Sequence, residues 1–137
     1  MKIIVTGHGH FATGLESTVK LLAGEIPGVD YIDFLETMSE ADLLEKLPSE
    51  NNLVFFCDLA GGTPYKLAAL RTTQADNNAV MAGGNIAALL EIGLQYDLLT
   101  FKNAQELVNL LTLASHNGIQ KFKSVKYSEK VDEEDGI

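Results

Sequence analysis

Five consecutive apolar residues, Leu53-Val54-Phe55-Phe56-Cys57, stop abruptly at Asp58. A strand with one wet face alternates apolar and polar residues, whereas an unbroken short run belongs to a strand covered on both faces. Such a strand lies inside a parallel sheet, and parallel neighbours require long, usually helical, crossovers. The flanking sequence supplies both. Lys2 to Thr6 and Val29 to Phe34 read as strands one and two, the run itself as strand three, and Asn78 to Ala82 as strand four. Phe11 to Leu22 carries Leu15, Val19 and Leu22 at helical spacing and ends at Gly24 and Pro27. Ser39-Glu40-Ala41-Asp42 resembles a capping box before Leu43, Leu44 and Leu47, and Pro48 closes that helix. After Gly61-Gly62, Thr63 as N-cap and Pro64 at the first helical position open a helix to about Thr72. Gly83-Gly84-Asn85 leads into a short apolar helix from Ile86 to Leu94. Asn103-Ala104-Gln105-Glu106 caps a helix ending near His116, with Gly118 beyond it. Ile119 to Tyr127 alternates and reads as an edge strand, a place that suits its lysines.

This order, within 137 residues, predicts a single α/β domain: an open, mainly parallel sheet with helices on both faces. Right-handed crossovers leave few topologies. In a flavodoxin-like order, 2-1-3-4, strands one and three are neighbours at the switch point, so residues fifty apart in sequence share one crevice. No apolar run approaches the ~20 residues of a membrane span, and no signal peptide is evident. Cys57 is the only cysteine, which fits a reducing compartment and a cytoplasmic location. A formal net charge of −9 repels phosphate backbones and anionic lipid, so neither nucleic-acid binding nor a membrane-surface role is expected. Part of that charge, including Asp132, Glu133, Glu134 and Asp135, lies in an acidic tail over 128–137 that is expected to be disordered.

The crevice would hold His8, after strand one, and Asp58, after strand three. A carboxylate accepting from Nδ1–H fixes an imidazole's tautomer and leaves Nε2 as the nucleophile. Gly9, Gly61, Gly62, Gly83 and Gly84 keep side chains away, and their loops offer N–H groups at helix N-termini. A phosphoryl group is the electrophile that suits both features. His10 would cover a helix N-terminus or line the pocket; His116 would complement a helix dipole; Cys57 reads as core. His8 and His10 lack further histidines or cysteines to complete a metal site, and neither a metal nor a cofactor is expected.

Three segments carry a resemblance. His8-Gly9-His10-Phe11-Ala12-Thr13-Gly14-Leu15, Asp58-Leu59-Ala60-Gly61-Gly62-Thr63-Pro64-Tyr65 and Ala82-Gly83-Gly84-Asn85-Ile86 resemble the IIA component of the mannose-family sugar phosphotransferase system. The similarity covers Met1 to Tyr127. It implies a phosphocarrier enzyme that takes a phosphoryl group from the protein HPr on a histidine and passes it to a IIB component, which phosphorylates sugar during uptake through IIC and IID membrane subunits. The matching residues make His8 the phosphorylated nucleophile and Asp58 the carboxylate that orients it. Thr63 supplies a hydroxyl to the phosphoryl pocket, with Gly9, Gly61 and Gly62 around it; His10, at a position that varies in the family, is assigned no catalysis and is with Asn85 a candidate for the pocket lining. The resemblance also implies four parallel strands, an antiparallel fifth at Ile119 to Tyr127, and a homodimer that exchanges it. With no IIB motif following, IIB is expected on a separate chain. Two other readings share the fold: a phosphocarrier serving dihydroxyacetone kinase, and a non-catalytic regulatory module. Gly84 departs from the Val or other apolar residue expected there.

Overall fold

A computed structural model of the chain describes residues 1–125. Four strands, β1 (Lys2–His8), β2 (Val29–Phe34), β3 (Leu53–Cys57) and β4 (Ala79–Ala82), form one parallel sheet in the order β2-β1-β3-β4. Five helices alternate with or follow them: α1 (Phe11–Ala23), α2 (Glu40–Lys46), α3 (Thr63–Thr72), α4 (Ile86–Gln95) and α5 (Ala104–Asn117). The expected order 2-1-3-4 is therefore present, with β1 and β3 side by side in the middle.

Strand periodicity divides the core in two. Ile3, Val5, Val54 and Phe56 point to the face covered by α1, α4 and α5. Ile4, Leu53, Phe55 and Cys57 point to the face covered by α2 and α3. Every residue of β3 is buried, as its unbroken apolar run requires. Phe55 and Phe56 are fully enclosed on opposite faces, each contributing about 1.5–3 kcal/mol of burial. Burial pushes the Cys57 thiol up to about 12, with the Asp58 charge as second cause, so this sulfur is a core atom rather than a thiolate.

Several features differ from the sequence reading, each for a local reason. β1 continues to His8 because β2 is long enough to pair with Gly7 and His8 as well. β4 begins at Ala79: the Asn78 side chain instead accepts from Leu53 N–H at 2.8 Å and donates to the Glu50 carbonyl. The N-cap of α3 is Gly62, not Thr63; the Gly62 carbonyl accepts the Lys66 N–H, and Thr63 is already helical. Over Ile119–Val125 the chain pairs with no strand and is exposed, so the described part of the expected fifth strand is unformed in the isolated chain. The remainder of that strand and the acidic tail lie outside the described residues.

The capping box at Ser39 and Asp42 is complete, and Asn103 caps α5 through the Glu106 N–H. Gly84 also has a physical reason. A Cβ there would overlap the ring of the buried Phe56, so the loop after β4 lies directly on that ring. Among the described residues, no helix is long and apolar enough to cross a membrane.

Candidate active site

The strand ends bring together the residues that the sequence keeps fifty apart. Asp58 directly follows β3, and His8 ends β1 beside it. One Asp58 oxygen, Oδ2, accepts from the His8 backbone N–H at 2.9 Å and from His8 Nδ1 at 2.7 Å. A carboxylate only accepts, so Nδ1 carries the proton and Nε2 holds the lone pair of the neutral ring. The two bonds fix the backbone and the ring of His8 together. The other oxygen, Oδ1, is buried and has no hydrogen-bond partner among the described residues. The Asp58 side chain is 15% exposed and that of His8 is 47% exposed, so the carboxylate is set back while the imidazole faces outward.

Glycines make the fit possible. A Cβ on Gly62 would stand 2.7 Å from His8 Cε1 and 3.4 Å from Nε2, so the α3 N-cap clears the space beside the nucleophilic nitrogen. No side chain caps α3, which leaves its first N–H groups free of a side-chain acceptor. Gly61 and Gly9 have φ of +83° and +59°, a region that favours glycine, and they form the turns on either side of the ring. Gly7, which sequence reasoning left out of the site, has the same purpose beneath it. A Cβ there would lie 2.8 Å from Asp58 Cγ and 2.6 Å from the Phe11 ring. The clue was visible: glycine on both sides of one histidine.

His10 and Asn85 make their side-chain hydrogen bonds to groups other than His8 and Asp58. His10 is the N-cap of α1, and its Nδ1 lies 3.1 Å from Asp33 Oδ2 and 3.3 Å from Thr13 Oγ1. Asn85 caps α4, accepting from the Ala88 N–H, and donates to the Ser115 carbonyl, so both ends of its amide serve the α4–α5 packing. Sequence reasoning missed Asp33. Its oxygens accept from the Thr13 N–H at 2.9 Å, the Thr13 hydroxyl at 2.6 Å and His10. Burial raises the Asp33 pKa, but the bonds from Thr13 and His10 outweigh it and hold this carboxyl below its ordinary value. Phe34 was missed too: its ring meets the His8 ring edge-on, with centroids 6.0 Å apart. Among the described residues, no group of three or more histidines, cysteines or carboxylates is arranged to hold a metal ion.

The chain is similar to known proteins over most of its length. The EIIA-man family model, described as the PTS system fructose IIA component, matches residues 2–109. The chain is 28% identical over 127 residues to the PTS system fructose-specific EIIA component of Bacillus subtilis, covering 88% of this chain and 85% of that protein. It is 29% identical to the PTS system mannose-specific EIIAB component of Escherichia coli over 129 residues, which is 89% of this chain but only 39% of that longer protein. Among solved structures, the phosphotransferase system component EIIA from Streptococcus agalactiae superposes with a TM-score of 0.74 at 30% identity, over 88% of this chain and 95% of that one. The matched residues include all four strands and the His8–Asp58 pair, and the chain belongs to the EIIA-man family of phosphotransferase-system IIA components.

Proposed function

We propose that the protein is a cytoplasmic phosphocarrier that takes a phosphoryl group from phospho-HPr on His8 Nε2 and gives it to a IIB component for sugar uptake through IIC and IID subunits. The observation that carries this reading is the 2.7 Å bond from His8 Nδ1 to Asp58, which turns the lone pair of Nε2 outward. In the forward step, Nε2 attacks phosphorus in line, the N–P bond to His8 forms, and the donor's bond to phosphorus breaks with its electron pair returning to the donor. The His8 ring becomes cationic, and Asp58 offsets that charge. The phosphoryl oxygens meet the uncapped start of α3 at Gly62 and Thr63, where N–H groups and the helix dipole favour an anion. Transfer to IIB reverses the same step with a new acceptor.

The test is to incubate the protein with phospho-HPr and then with IIB. The protein is expected to take one phosphoryl group per chain, in an acid-labile and base-stable bond, and to lose it when IIB is added. Failure to accept from phospho-HPr would remove this reading. Acceptance followed by release only to a dihydroxyacetone kinase would transfer the function to that pathway.

Gly62 gives a local check. Its φ of −76° and ψ of 170° suit alanine, so Gly62→Ala leaves the backbone unstrained. The new methyl group displaces the His8 ring, and a shift approaching 1 Å lowers the transfer rate by about 10²-fold. A rapid-quench measurement reads the rate, and thermal unfolding verifies that the fold is intact.

The same reading includes the dimer. β4 has no strand on its outer side among the described residues, and Ile119, Phe122 and Val125 expose 73%, 87% and 56% of their surface. Pairing of this segment with the β4 edge of a second copy covers both. A chain ended at Gly118 should then sediment as a monomer while the full chain sediments as a dimer; equal behaviour of the two would remove the exchange.

A further inference from the structure

His8 is gripped from two sides. Asp58 holds it from β3; the second grip comes from β2. Asp33 and Phe34, the last two residues of that strand, bracket the turn at Gly9. Upstream of Gly9, the Phe34 ring meets the His8 ring, and the Phe34 carbonyl accepts the Gly9 N–H at 2.8 Å. Downstream, Asp33 accepts three bonds from the first turn of α1: the Thr13 N–H, the Thr13 hydroxyl and His10. α1 has no side-chain cap of its own, because its N-cap residue, His10, makes no capping bond to the helix backbone. The acceptor arrives instead from twenty residues away. The Asp33 side chain is 12% exposed whereas that of His10 is 76% exposed, so the carboxylate is the enclosed, fixed partner. A carboxylate at a helix N-terminus is favoured by the dipole and by charge-assisted bonds. Gly9 has positive φ and no atom within 4 Å of where a Cβ would stand, so the turn is held by its backbone bond to Phe34 and by its two flanks rather than by packing around it.

We propose that Asp33 is a positioning residue for the His8 reaction: by tying α1 to the end of β2 it holds the Gly9 turn, and so keeps the His8 ring on Asp58. The proposal rests on His8 as the phosphoryl acceptor. Asp33 touches neither His8 nor the phosphoryl group and acts only through the turn. Its effect therefore falls on the rate of transfer within the complex and not on donor binding.

The full chain serves for the test. In single-turnover labelling by phospho-HPr, Asp33→Ala is expected to lower the rate at saturating donor on the order of tenfold, with the half-saturating donor concentration unchanged. The His8 Nδ1–H proton resonance, which reports the bond to Asp58, should broaden or move upfield. Asp33→Asn should restore both readouts, because its carbonyl accepts the Thr13 N–H and its amide donates to Thr13 Oγ1 and to His10 Nδ1 in the other tautomer. A wild-type rate and an unchanged His8 resonance in Asp33→Ala would overturn the proposal and leave the His8 assignment standing. That assignment fails separately, if His8→Ala still takes label. Should Asp33→Ala not fold, Thr13→Val removes the 2.6 Å hydroxyl bond to Asp33, together with the 3.3 Å contact of that hydroxyl with His10, and keeps the Thr13 N–H bond. It should then show the same two changes in smaller degree, and their absence would equally overturn the proposal.

Discussion

His8→Ala should take up no phosphoryl group from phospho-HPr: labelling is expected to fall by more than about 10³-fold, since the substitution removes the nucleophile itself rather than a group that assists it. The chain should remain folded. His8 ends its strand with a side chain 47% exposed, and the core on both faces of β1 is made by Ile3, Ile4 and Val5. The cost to stability is the loss of the ring bond to Asp58, whose Oδ2 keeps only the backbone N–H of residue 8; it is about 1–3 kcal/mol and is read as a lower unfolding midpoint in urea. Undiminished labelling in a folded His8→Ala protein would place the chemistry on another residue.

Asp58→Asn should be nearly as damaging while leaving the nucleophile in place. Asparagine fills the same volume, but its amide can present either an acceptor or a donor to Nδ1. The tautomer with the lone pair on Nε2 is then no longer enforced, and the charge that stabilises the cationic ring is gone. By analogy with other histidine–carboxylate pairs, the transfer rate should fall on the order of 10²–10⁴-fold. Rapid-quench kinetics measure it, and the ring nitrogen shifts of His8 should show a mixed tautomer population. A rate within a factor of about two of wild type would mean that Asp58 neither orients nor charges the ring. Because Asp58 Oδ1 already lacks a partner, the loss of charge itself is expected to cost little stability.

The sequence revealed those elements whose signals are local. β3 could be read because five apolar residues in a row allow few other placements, and the capping box at Ser39 and Asp42 because it lies within four residues. The pairing of His8 with Asp58 followed from topology: once β1 and β3 are neighbours, their carboxyl ends meet. What stayed hidden depends on contacts across the sheet. Thr63 has the residue type of an N-cap, yet Gly62 holds that place because the His8 ring excludes a side chain there. Asp33 carries no local signal: its partner helix begins twenty-two residues earlier, and no spacing rule links them. Asn85 carried a pocket role by resemblance, whereas its amide is used between α4 and α5. The expected fifth strand has no partner inside one chain, so alternation alone could suggest it but a single copy does not form its described part.

The most direct measurement is to phosphorylate the protein with phospho-HPr, label the histidine ring nitrogens with ¹⁵N, and identify the nitrogen bonded to phosphorus from its coupling to ³¹P. With Nδ1 held by Asp58, the phosphoryl group should appear on Nε2 of His8 and nowhere else. Phosphorus on Nδ1 of His8, or on His10 or His116, would contradict it.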